Sequence, residues 1–475
     1  MTDNPQFGQE SEVEHSERSP AQAPRFQSRK GIASAVLAIV VVSAWGIDRY
    51  LGARELALQI ARVRDRGEPL SSVELNDAYQ PVPNRPNVTQ ELLVALAPCL
   101  QAQKNLADAT LPVIGTGEDP PGPPQEWNQL EPSEDYLRPL AEPVNSLLAL
   151  AGRDGTARFP VDFSLGAAAP IDDHLQLILA GTRVLRLQFL VHLHRRRIPE
   201  AQNCVVAMIA LGRTLDVEPS LISQVLRISK INTVAMASVD DLLQHARLAE
   251  ADIARLRDAI RKIEYLPGLK AALLGERTTA YMVAIAPQVF ADLESLTPAA
   301  VREIDVHATP RHARGAAKIL ELSLRIDEAL DESLGAALSA SDQVEEETFD
   351  LLKGIYHRWT YHTLSLNTSF SQPIRAFRRS STRRDCLDVA LAVELFRQRK
   401  GTWPTGLEQL VPDYLSAVPI DPYDDKPLKF VSTDEIFKVY TVGEDRRDNG
   451  GQLSMGQERG TDMGFQLHMP DRETR

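Results

Sequence analysis

Residues 172–215 read DDHLQLILAGTRVLRLQFLVHLHRRRIPEAQNCVVAMIALGRTL. Leu175, Ile178, Leu185 and Phe189 recur at three- and four-residue spacing, which predicts one buried face of a helix. Arg197 to Pro199 make a turn, and Cys204, Met208, Leu211 and Leu215 repeat the pattern on a second helix. Pro219 then interrupts the chain and Ser220 is placed to cap a third helix. Its stripe runs through Leu221, Val225, Ile228, Ala235, Val239 and Leu242, and Ile253, Leu256, Ile260 and Ile263 mark a fourth. Two helical hairpins in succession predict a mainly α fold whose middle is a helical bundle or an α-solenoid-like stack.

Working outward, the stretches Leu269 to Leu293, Ala313 to Leu338 and Asp342 to Leu366 carry the same spacing, so the helical domain is set at 172–384. Its polar residues do not converge on a site. His192 and His194 project about 200° apart on a helix, which disfavours a zinc pair. His357 and His362 stand five apart, off the i, i+4 face that two metal ligands need. Asp172, Asp173 and His174 read as a helix start, with carboxylates near the positive end of the dipole. Glu345 to Glu347 read as a solvated face. Arg375, Arg378, Arg379, Arg383 and Arg384 form the one basic cluster. They fit an exposed helix face, or a surface attracted to anionic lipid or an acidic partner.

Hydrophobic residues make up 43% of the chain and aromatics only 6%, as in an Ala/Leu-rich helical protein. A formal charge of -13 disfavours nucleic acid as a partner, because the protein as a whole repels phosphate. Cys99, Cys204 and Cys386 lie far apart, without a CxxC pair, and read as small buried hydrophobes. The chain carries no Walker loop, dinucleotide GxGxxG, HExxH, GxSxG or EF-hand string. No catalytic residue is assigned, although a hydrolase with scattered residues stays open as a second alternative.

Toward the N-terminus, residues 31–47, GIASAVLAIVVVSAWGI, hold no charge between Arg29, Lys30 and Asp48, Arg49. They read as a transmembrane anchor. The competing readings are a signal peptide cleaved near Val42, Ser43 and Ala44, and a buried helix; the long polar segment 1–30 ahead favours the anchor. That segment has the composition of a disordered tail. In 48–171 the helical pattern continues through ARELALQIARVRDRG until Gly67 and Pro69. A short helix follows from Gln90 to about Ala107, and GTGEDPPGPP (115–124) reads as a surface loop rather than a polyproline ligand.

Residues 385–475 form the last module. Leu387, Val389, Leu391, Val393, Leu395 and Phe396 give a broad apolar helix face, and Gly401 is placed as its C-cap. KGTWP, VPDYL and VPIDPYDDKPLKF follow, then VYTVGEDRRDNGG. Thr405 is placed to cap a short helix, Asp421 to Asp425 read as a turn, and Leu428 to Val431 and Ile436 to Val442 as strands. The result is a small α+β module, a helix laid on an antiparallel sheet.

That order of helix, Gly-aromatic-Pro element, Pro-x-Asp-Pro-aromatic turn and Tyr-x-hydrophobic-Gly before an acidic loop resembles the globular part of the major pseudopilin of type II secretion. The resemblance implies a periplasmic module, hence an inner-membrane protein with its N-terminus in the cytoplasm. It also implies calcium held by the Val442 carbonyl, Glu444 or Asp445, Asp448 and Asp462. The whole chain is similar to a family of single-anchor bacterial membrane proteins of unassigned activity, through ELNDAY (74–79), RFPVDFSLG (158–166) and EPSLISQVLRI (218–228). The function expected is a membrane-anchored, non-enzymatic scaffold with a protein partner on the helical domain; the alternative is a component or adaptor of a type II secretion or pilus-like system.

Overall fold

The computed structural model describes residues 29–104, 110–305, 312–353, 370–453 and 462–469. Its helices are α1 (Arg29–Asp65), α2 (Ser72–Ala78), α3 (Thr89–Lys104), α4 (Leu130–Leu137), α5 (Ala141–Ala151), α6 (Asp172–His194), α7 (Ile198–Arg213), α8 (Leu221–Leu226), α9 (Thr233–His245), α10 (Glu250–Arg261), α11 (Leu266–Ile285), α12 (Pro298–Arg302), α13 (Ala313–Glu332), α14 (Leu334–Lys353) and α15 (Ser371–Lys400). The fold is mainly α, with a small C-terminal antiparallel sheet, as the periodicity predicts.

The character of α1 changes along its length. From Val36 to Ile47 its large apolar residues are exposed all round, and the helix from Ala33 is long and apolar enough to cross a membrane, with a mean hydropathy of 1.5. The chain divides into two compact units between Leu51 and Gly52. From Gly52 onward α1 shows a single stripe, with Leu56, Ile60 and Val63 buried, the pattern of a helix packed on protein. Gly52 lies against Arg314 of α13, and Arg62 pairs with Glu328 further along the same helix.

In the second unit α6 and α7 form the predicted hairpin, and Leu175, Ile178, Leu185, Phe189, Cys204, Met208, Leu211 and Leu215 are all buried. α7 packs on α5, α6, α9 and α10, so the helices gather round it as a bundle does. α3 crosses α6 at Gly181, where an added Cβ would lie 2.2 Å from Leu96 Cδ2. One continuous apolar core runs from Leu56 to Leu467.

The third predicted helix differs from its reading. It is interrupted by a π-helical turn at Arg227–Asn232, and the inner face of α8 carries Ser223 and Gln224 while Ile222 is 59% exposed. The break predicted between Leu338 and Asp342 falls instead at Ser333, whose Oγ accepts the Ala336 N–H. GTGEDPPGPP is a loop, with Gly122 closed against His245 and Pro121 O bound by His194.

The C-terminal helix starts well before Leu387. α15 is continuous from Ser371 to Gly401, which caps it with φ 78°, so the boundary drawn between 384 and 385 lies inside one helix. Its two faces lie on α10 and α14 and on the sheet. β1 (Ile420–Asp421) pairs with β2 (Lys426–Pro427), and β3 (Lys429–Ser432), β4 (Ile436–Thr441) and β5 (Met463–His468) form an antiparallel sheet in the order β3-β4-β5. β5 and the two-residue pair β1 and β2 lie outside the strands expected from the sequence. β5 follows the acidic loop and pairs Val439 with Phe465 and Phe437 with Leu467.

Candidate functional site

Four polar side chains that water does not reach meet in the helical body. Glu218, 0% exposed, ends the hydrogen-bonded turn that follows α7, where Glu218 N–H donates to Leu215 O at 3.0 Å. Both its carboxylate oxygens lie 2.9 Å from His174 Nε2 at the start of α6. Oε2 also accepts the Tyr79 hydroxyl at 3.2 Å, and Oε1 accepts Ser223 Oγ. Tyr79 Oη accepts the Phe159 N–H at 3.1 Å, and the Phe159 ring stacks on His174 at 4.6 Å. A buried carboxylate is tolerable only with such a set of donors.

Around this centre Arg158 binds backbone rather than carboxylate. It donates to Tyr79 O (3.1 Å), Phe159 O (2.8 Å), Val161 O (3.3 Å) and Asn76 Oδ1 (3.0 Å), and its guanidinium lies over the Tyr79 ring. Asn76 Oδ1 accepts the Phe163 N–H as well. The three strings at 74–79, 158–166 and 218–228 therefore converge on one point. Beneath it the π-turn brings Arg227, 1% exposed, onto Asp216 and the Glu264 carbonyl. Burial pushes the Asp216 carboxyl up to about 6, against the pull of Arg227, Arg213 and Arg85.

Chemically this arrangement is a tie rather than a reacting centre. A nucleophilic serine gives its proton to an imidazole that a carboxylate orients. Here Ser223 and His174 both address the carboxylate, and Tyr79, His174, Glu218 and Ser223 are at most 3% exposed. Asp172 and Asp173 do open α6, as expected, but His174 points inward. His192 lies beside Gln188 and His194 reaches Pro121 O, so they do not share a site. His357 and His362 lie outside the described residues.

In the C-terminal loop the residues that the resemblance assigns to calcium are only partly brought together. Asp462, fully buried, accepts the Asn449 N–H at 3.1 Å and the Gly451 N–H at 2.8 Å. Burial raises its pKa and the nearby Asp448 charge adds to the rise. Asp448 accepts Tyr440 Oη–H (3.0 Å) and the Gly450 N–H (2.9 Å). Asp445 turns back onto the Arg447 N–H, and Glu444 pairs with Arg379 at 2.7 Å. The Val442 N–H is held by Asp421. Among the described residues no three His, Cys, Asp or Glu side chains are grouped to hold a metal.

Asp421, read from the sequence only as the start of a turn, is a buried anchor. It is fully buried and accepts Thr441 Oγ1–H (2.6 Å), Val442 N–H (2.9 Å) and Tyr423 N–H (3.0 Å), which locks the turn onto the end of β4. Its place before Pro422 was the available signal.

The basic cluster on α15 is buried or half-buried and paired, not a solvated face. Arg375 pairs with Asp342, Arg379 with Glu444, and Arg384 with Asp385 and the Ile263 carbonyl. Arg378 and Arg383 lie over the rings of Tyr423 and Phe465. Arg378, Arg379 and Arg383 thus join α15 to the sheet module, while Arg375 and Arg384 tie it to the helical body.

Compared with protein-family models, characterised proteins and solved structures, the chain has no significant match. The class that the fold defines is thus a helical-bundle body with a C-terminal helix-on-sheet module and, among the described residues, one helix long and apolar enough to span a membrane.

Three outcomes are expected from this geometry. Glu218→Ala or His174→Ala lowers stability by about 3–5 kcal/mol, and the double variant costs clearly less than the sum, measured by denaturant unfolding. Because Asp216 has a raised folded pKa, the folded state binds its proton first. Its contribution therefore gains stability as pH falls from about 6 toward the unfolded value of 3.8 and loses it as pH rises. Asp216→Asn removes that slope from a melting-temperature profile between pH 4 and 7. Asp462→Ala leaves the Asn449 and Gly451 N–H groups unpaired, and its melting temperature falls equally in calcium and in chelator; a calcium-dependent gain in the natural protein alone would assign the cation.

Proposed function

We propose that the protein is a single-span envelope protein, anchored in the inner membrane by residues 31–47 with residues 1–30 in the cytoplasm and the body in the periplasm. Its body is a non-enzymatic scaffold that recruits a protein partner on the helical surface. The observation that carries this reading is the switch within α1, apolar on every side from Val36 to Ile47 and apolar on one stripe from Gly52. The first pattern suits hydrocarbon and the second suits a protein surface. The polar groups of the body support the scaffold part, since Glu218, Asp216, Arg158 and Arg277 are all engaged by other parts of the same fold.

The second reading, a component or adaptor of a type II secretion or pilus-like system, is favoured by one feature. α15 lies on β4 and β5, and an acidic glycine-bearing loop follows β4, which is the arrangement that the resemblance implies. Purification from detergent-solubilised membranes separates the two, by whether the co-purifying protein belongs to a secretion platform.

The anchor is tested by cysteine labelling in intact cells, with Cys99, Cys204 and Cys386 buried and silent. A probe cysteine at Asp434 is expected to react with an impermeant reagent and one at Ser11 to be protected. The opposite pattern refutes the orientation, and release of the protein into the soluble fraction refutes the anchor.

A further inference from the structure

We propose that the ion cluster at the end of α1 is a proton-operated latch, in which acidification transfers the Arg277 guanidinium from Asp327 to Glu68 and tightens residues 62–74 onto α11. Arg277 is 1% exposed and serves two carboxylates at once, Asp327 through Nη1 at 2.6 Å and Glu68 through Nη2 at 2.7 Å. Glu68 belongs to the segment just past α1, Arg277 to α11 and Asp327 to α13. Two carboxylates on one buried guanidinium cannot both be held at full strength, and the less hydrated one is the first to take a proton. That one is Asp327, with a side chain 13% exposed against 24% for Glu68.

The surroundings agree. From the segment after α1, Arg66 faces Glu68 at 2.9 Å and Asp331 at 3.8 Å, and from α11 Lys270 binds Asp331 at 2.5 Å. Glu328 on α13 is taken by Arg62. On the other side of α13, the α14 carboxylates Glu347, Asp342, Glu345 and Asp350 are held by Lys318 and Arg325, by Arg375, by the Ser371 N–H and by Lys353, and Glu346 is exposed. A cavity of 330 Å³ lined by Arg66, Glu68, Lys270, Asp327 and Asp331 opens on the cluster, so protons have a route to it. Burial pushes the Asp327 carboxyl up to about 6 despite the pull of Arg277, and the Glu68 charge adds to the push. Since this folded pKa is raised, the fold favours the protonated form below about 6, and acid redistributes the contacts of Arg277 without opposing the fold.

Residues 64–74 are tied together and respond as a unit. Arg64 binds both oxygens of Glu74 at 2.7 and 2.8 Å, and Glu74 also accepts the Leu70 N–H at 2.8 Å. A firmer bond between Glu68 and Arg277 is therefore felt along the whole segment.

The test is hydrogen exchange of peptides covering 62–74 in the detergent-solubilised full chain, at pH 5.5 and 7.5, after correction for the intrinsic rate. The natural protein is expected to be on the order of fivefold better protected at the lower pH. Asp327→Asn, a near-isosteric change, should show the high protection at both pH values, and Glu68→Gln the low protection at both. Equal protection of the natural protein at the two pH values, or a pH difference that survives in Asp327→Asn, overturns the proposal. Should Glu68→Gln fail to fold, Asp327→Asn against the natural protein decides the matter alone.

Discussion

A carboxylate shut away from water has to be met by donors that the rest of the chain delivers, and Glu218 is met from three directions. Tyr79 comes from the end of α2, His174 from the start of α6, and Ser223 from α8. Removing any of them leaves charge or a donor stranded in a medium where neither is solvated. The contact therefore fixes where α2 and the 158–166 segment, which ends in a 3-10 helix, lie against the bundle. It also explains why α8 shows polar residues to the interior and leaves Ile222 outside.

Arginine is the second organising element. Arg158 gathers three backbone carbonyls, Arg227 spans from Asp216 to the Glu264 carbonyl, and Arg257 reaches from α10 to Asp388 and the Tyr414 carbonyl. A planar fork with several donors suits such multi-sided binding better than a lysine would. Although the chain is acidic overall, these buried or half-buried cations hold together pieces distant in sequence, and the cluster on α15 does the same for the sheet.

Most helices were legible because their stripes report one simple requirement, an apolar face against a core. α6, α7, α9 and α10 follow it closely. α8 does not, since the needs of Glu218 outweigh periodicity there and Leu221 and Val225 are only half-buried. β5 does carry a strand signal, Met463, Phe465 and Leu467 alternating with Gly464, Gln466 and His468, but its pairing with β4 across the acidic loop leaves no trace in that pattern. In the candidate site the three strings were visible as strings, but their meeting point was not, because a hydrogen bond between Tyr79 and Glu218 leaves no periodic trace. The calcium set was read from order in the sequence. The partners that Glu444 and Asp445 take, Arg379 and the Arg447 N–H, belong to tertiary structure and a local turn.

The stripe at the end of α1 has a temporal side. Leu56, Ile60 and Val63 leave the ribosome early, whereas Glu328, which binds the neighbouring Arg62, lies 266 residues further on. At ordinary rates of synthesis that interval is on the order of ten seconds or more. Throughout that interval the apolar ridge on the growing chain stands without α13, the helix that Gly52 and Arg62 meet in the finished fold.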